Sequence, residues 1–230
     1  MIPDNPWPFV FFDASETGHY NCGEFVMQDH RSAASFDLNA IRLGIVAGFF
    51  ACFAYPLMVF VHLPKLATTT LAAGFGPALA VACFGLRRLL DLEKPRVSST
   101  LGLMLNALAG ALFSAMVLVQ LAVGYSAGGD NPPAQITAIW LGLDVAWDGY
   151  IGLGTLCFAI AMWRHVRFGK AFAISGALIA VALLAFNFYT FPEPPKSAGL
   201  IDLGPGVGLW YLAVTVQMWR SLGWSRERQP

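Results

Sequence analysis

The sequence predicts an all-α protein, a polytopic bundle of six membrane-spanning helices with both termini on the cytoplasmic side. Three observations carry that expectation. Six apolar segments, at roughly 41–62, 68–88, 100–123, 137–163, 171–191 and 203–222, match the ~20 helical residues that cross a hydrocarbon layer of about 30 Å. Charged residues are 12% of the chain and hydrophobic residues 57%, whereas a soluble domain carries roughly 25% charge. Lys and Arg alternate between the successive connections, as the positive-inside rule requires of a chain that crosses a membrane repeatedly.

Residues 1–39 precede the first span and read as a polar, acidic, proline-containing tail or surface segment. The opening MIPDNPWPFVFFDASE lacks the basic start and apolar run of a cleavable signal. Met27 lies just before DHRSAASFDLNAIR, which would make a natural short N-terminus, so residues 1–26 are open between a native segment and an extension. The transmembrane domain then occupies 40–223, and 224–230 form a cytoplasmic tail.

Within the spans no water satisfies the backbone, so the segments must be helical, and none alternates as a membrane barrel strand does. Pro56 and Pro77 are expected to kink the first two helices. Small residues recur at helical spacing: Gly44 and Gly48 in the first span, Gly110 and Ser114 in the third, Gly149 and Gly152 in the fourth. They let helices approach closely, and packing is the reading preferred over a dimer code. Cys52, Cys83 and Cys157 fall singly in apolar spans and Cys22 in the tail; without a CxxC pair they read as small buried apolar residues.

The connections orient the bundle. Arg87, Arg88, Lys94 and Arg96 follow the second span, Arg164, Arg167 and Lys170 the fourth, and Arg220, Arg226 and Arg228 the sixth. The other connections carry only Lys65 and Lys196. The basic set is expected to be cytoplasmic, with Arg31 and Arg42 on the same side. The fourteen bases are matched by fourteen acids, so no net field points to nucleic acid.

The most informative residues are Asp144 and Asp148, inside the fourth span. Four residues apart, they share one helix face one turn apart. Each ionised Asp at a span centre costs roughly 2.5–3.5 kcal/mol on insertion scales, and an intramembrane acid is by default a candidate functional group. With no Lys or Arg deep in any span, the acids must hold a proton, bind a cation or hydrogen-bond as acids. Depth along the helices brings His62, Gln120, Asn187 and Asp202 toward the same outer half, with Tyr189 and Tyr211 as further contributors. The expectation is a polar, partly hydrated outer pocket, with Trp147 as a wall.

Blander readings stand beside this one. The acids could simply join helices, although such bonds contribute only about 0.6 kcal/mol on average. Asp202, ahead of LGPGVGLWYL, suits a helix N-cap, with Pro205 in the first turn. His62 suits an interfacial residue, and Asn106 and Gln217 suit interhelical links. Neither HExxH nor HxxxH, a Walker motif, GxSxG nor a dinucleotide fingerprint occurs, and no cofactor is assigned.

The blocks GLDVAWDGYIGLGTLCFAIAMWRHVRFGK and NFYTFPEPPKSAGLIDLGPGVGLWYL resemble a group of bacterial six-helix inner-membrane proteins of unknown function, over roughly residues 137–222. The resemblance implies a bacterial inner membrane and carries over no functional residue. Three functions follow from the residues: proton- or cation-linked handling of a small solute by Asp144 and Asp148; a non-catalytic binding or regulatory subunit for a lipid or partner helix; and a membrane enzyme using the acid pair as acid and base or as metal ligands.

Overall fold

A computed structural model describes residues 22–126 and 133–228, with side chains from Ser35 onward. The described residues form seven helices and no strand: α1 (Cys22–Phe60), α2 (Lys65–Asp91), α3 (Val97–Ser126), α4 (Ala134–Met162), α5 (Gly169–Thr190), α6 (Gly204–Arg220) and the short α7 (Leu222–Glu227). Five of them, α1 through its 35–60 portion and α2 to α5, are long and apolar enough to cross a membrane. The sixth predicted span is a helix of 17 residues.

α1 starts at Cys22, far upstream of the apolar boundary near 41. No Gly or Pro falls between Glu24 and Leu43 to stop it, and the stretch is rich in good helix formers. The polar approach to the first span is therefore helical from Cys22; residues 1–21, and with them most of the proposed extension, lie outside the described residues. Pro56 and Pro77 both lie inside continuous helices.

Each long helix packs on its neighbours in sequence, and α6 packs on both α1 and α5, so the six close into a ring. Every contact of the ring uses a glycine. A Cβ on Gly44 would stand 2.7 Å from the Gly85 backbone, joining α1 to α2, and one on Gly76 would stand 2.7 Å from the Gly110 carbonyl, joining α2 to α3. Gly102 receives Phe158 between α3 and α4, and Gly152 receives Leu184 between α4 and α5. Gly176 receives Trp210 between α5 and α6, and Gly48 receives Thr215 between α1 and α6. Small residues thus let backbones approach where hydrophobic exclusion gives no net drive. Gly149, expected in the same role, has open space around its Cβ position and makes no such contact.

The outward faces stay apolar: Val46, Leu178 and Leu209 are each 67% exposed. Exposed side chains of this kind on successive helices suit a lipid surround rather than water. The contacts also sort the helix ends. Asp37, near the start of the 35–60 portion of α1, pairs with Arg88 at the end of α2 at 3.3 Å. Ser99 at the start of α3 donates to Asp91 at 2.7 Å, and Arg96 donates to the Ala161 carbonyl at the end of α4. Arg167, just before α5, donates to Ser221 Oγ and to the Arg220 carbonyl at the end of α6, each at 3.2 Å. One end of the ring therefore gathers the base-rich connections. At the other end Lys65 lies over the Tyr125 ring at 4.4 Å.

Candidate acidic site

Asp148 sits about midway along α4, and burial leaves it 7% exposed. Its carboxylate takes a side-chain hydrogen bond from Asn187 of α5, itself 3% exposed. The Asn187 amide also donates to the Leu183 carbonyl of its own helix at 3.0 Å. Asp144, one turn nearer the base-poor end, is half-buried. Asp202, in the connection between α5 and α6, lies close enough for its charge to act on both acids. Tyr55 of α1 is within the field of Asp144 and Asp202. Four separate stretches of chain thus converge on this acidic site.

An aromatic wall closes one side of it. Trp147 packs on Phe113 at 4.8 Å and on Phe75 at 6.0 Å between centroids, and Tyr55 meets Phe113 edge-on at 5.5 Å. The expected walling role of Trp147 therefore falls toward α2 and α3. Below the acids, on the same face of α4, Thr155 meets Tyr211 Oη at 3.1 Å. Tyr211 donates to Asn106 Oδ1 at 2.6 Å, and Asn106 donates to the Gly102 carbonyl at 2.7 Å. Asn106 is thus an interhelical link, as expected, and Tyr211 belongs to this buried chain rather than to the acids. Gln217 similarly donates to the Arg167 carbonyl.

Two expected members do not join. Gln120 is exposed on α3, and His62 is exposed in the connection after α1. Tyr189, 84% exposed, also faces outward. The buried stripe of α3 at Asn106, Ala109, Phe113, Met116 and Val117 ends before Gln120, so correct depth does not bring that side chain inward. Asp202 serves its backbone as well: its Oδ1 accepts from the Gly204 amide at 2.9 Å. It does so one residue before the helix boundary, where Leu203 is the N-cap and has no side-chain bond. The capping job is done, but from the neighbouring position.

Two grooves lie along α4, beside the end of α5 and the 191–197 connection. One, of about 720 Å³, includes Thr137, Gly142 and Glu193; the other, of about 420 Å³, includes Gly142, Gly149 and Phe188. Neither includes Asp144, Asp148 or Asp202. Among the described residues no three His, Cys, Asp or Glu side chains are close enough to hold a metal ion.

A second polar centre lies at the base-rich end, where the sequence shows only basic connections. His165 is 1% exposed, between Phe168 and Trp224. Its Nε2 stands 3.9 Å from Glu93, and its Nδ1 accepts from the Arg167 amide at 3.2 Å. Burial pushes the imidazole below the ordinary histidine range; Glu93 and the Leu89 carbonyl oppose that shift, and Arg96 and Arg167 assist it.

These features define a helical protein with several membrane-span-capable helices, a buried acid midway along one of them and a polar junction at one end. No family model, curated protein or solved structure matches the chain.

Proposed function

We propose that the protein is a six-span membrane protein that handles a small solute with proton or cation linkage, using Asp148 as the site of charge change. The observation that carries this reading is the convergence of Asp144, Asp148 and Asp202 with the Asn187 amide in the middle and base-poor half of the bundle. Carboxylates in one another's field cannot all be ionised cheaply away from water, and Asn187 is a neutral donor that does not cancel their charge. Exchange of a proton or binding of a cation relieves that cost. Asp144 and Asp202 tune Asp148, and Asn187 orients it.

Six spans are supported by the closed ring and by the length of α6: 17 residues reach about 26 Å, within the range of short spanning helices. Leu209 gives α6 an outward apolar face like those of the longer helices. With the base-rich end cytoplasmic, both termini are inside and Asp144 and Asp202 lie toward the outer side. Assignment to a bacterial inner membrane rests on the sequence resemblance alone.

The test is solute-induced proton movement in vesicles loaded with a pH dye, using a panel of small solutes and monovalent cations. A solute that moves protons with the wild type should move none with Asp148→Asn. Undiminished coupling in that variant would overturn the assignment.

The grooves along α4 favour a second reading, a binding or regulatory subunit. Neither is lined by the acids, and both would accept a lipid chain or a partner helix. A stoichiometric lipid or protein retained through purification, with no solute-linked proton movement, would support that reading instead.

A further inference from the structure

From the geometry around His165 we infer that the base-rich end is a proton-operated latch, closed while His165 is neutral and opened when it takes a second proton. The argument starts at Nδ1. That atom accepts the Arg167 amide hydrogen at 3.2 Å, so in the closed state its lone pair is occupied and the ring proton sits on Nε2. An imidazolium has N–H on both nitrogens and no lone pair to offer. Protonation therefore points a donor at the Arg167 amide and breaks the contact that holds Arg167.

Arg167 carries the latch. Its Nε donates to Ser221 Oγ, its Nη2 to the Arg220 carbonyl, and its own carbonyl accepts from Gln217. These bonds fix the α6–α7 junction to the connection between α4 and α5. Ser221 and Ser225 are fully buried there. Displacing Arg167 frees the base-rich end of α6.

The surroundings decide how readily this happens. Arg96, from the connection after α2, and Arg167 both disfavour an added positive charge. Glu93, from the same connection as Arg96, favours it at 3.9 Å, and the Leu89 carbonyl of α2 faces the ring as well. Trp224 of α7, with Arg228 over its ring, and Phe168 pack against the imidazole and exclude water. At 3.9 Å Nε2 makes no hydrogen bond to Glu93, which leaves the second carboxylate oxygen room to close on an imidazolium. The latch is independent of what the acidic site binds.

Hydrogen exchange of segments 163–168 and 221–227 in the full-length protein, corrected for intrinsic rates from pH 5 to 8 (about the range in which histidine titrates), reads the latch directly. In the wild type, protection of both segments should be lost together as the pH falls. His165→Asn places an amide oxygen where Nδ1 was and cannot titrate, so protection should persist across the range. Glu93→Gln keeps an acceptor for the Val166 amide, 3.4 Å away, but removes the counter-charge. Its midpoint should move to lower pH. Flat protection in the wild type, unchanged pH dependence in His165→Asn, or a midpoint that stays or rises in Glu93→Gln would each overturn the latch.

Discussion

Tyr211 Oη donates a 2.6 Å hydrogen bond to Asn106 Oδ1, joining α6 to α3 through the interior. The phenol has one proton, so Thr155, 3.1 Å away, must be the donor in the second contact. The chain therefore runs one way, from Thr155 through Tyr211 and Asn106 to the Gly102 carbonyl. Tyr211→Phe removes the middle link and leaves the Asn106 oxygen and the Thr155 hydroxyl to find other partners. Stability should fall by about 1 kcal/mol, near the upper part of the range measured for interhelical bonds in membranes. Reversible unfolding in mixed micelles measures it.

Close backbone approach predicts a sharp contrast between two glycines. Gly85→Leu pushes a side chain into the α1 backbone, where a Cβ already meets Gly44 at 2.7 Å. Overpacking of this kind costs ~1–3 kcal/mol or more when the neighbour cannot move. Gly149→Leu faces open space and should leave the unfolding midpoint nearly unchanged. Equal losses in the two variants would contradict the ring contact.

Asp202 separates charge from capping. Asp202→Asn keeps an oxygen for the Gly204 amide, 2.9 Å away, and should retain stability while reducing the field on Asp144 and Asp148. Asp202→Ala loses both and should cost about 1 kcal/mol, as helix caps usually do. Any solute-linked proton movement should change alike in both variants, whereas only the alanine should lower the melting temperature.

The buried imidazole makes stability depend on pH with a definite sign. The folded state holds His165 below the ordinary range, so in mildly acid solution the unfolded chain binds a proton that the folded chain refuses. Stability then rises with pH through that window. It should fall on acidification below about 6.5, the ordinary histidine value, until the folded imidazole also protonates. Denaturant midpoints measured for wild type and His165→Asn should diverge below that pH and agree above it.

Topology has a direct readout. After replacement of the native cysteines, a cysteine at Ser126 should react with an impermeant reagent from outside, and one at Glu227 only after the membrane is opened. Both positions are exposed, whereas Ser225 in the same tail is fully buried and would report burial rather than sidedness. The reverse pattern would invert the proposed orientation.

Much of this fold was legible because apolar length and basic spacing answer directly to lipid and water. The facing of Asp148 was legible for a similar reason: helical spacing puts positions 144, 148 and 155 on one side, and polar groups there must find partners. Asn187 followed from its depth and its amide. Depth alone failed for Gln120 and His62, because it says nothing about rotation around the helix or about where a buried stripe ends. Tyr55 escaped notice because an aromatic in a span normally faces lipid, and its side is indeed 46% exposed. The His165 junction depends on three connections meeting at long range, and charge counting along the chain carries no such information.

The ring is closed by its last long helix. Ribosomal synthesis delivers α1 first and α6 last, with domains assembling in that order. Until α6 arrives, the Gly48 face of α1 and the Gly176 face of α5 have no helix to receive, and Asn106 and Thr155 wait without Tyr211. A chain stopped after α5 would therefore be an open crescent in which Asn106 and Thr155 lack their α6 partner.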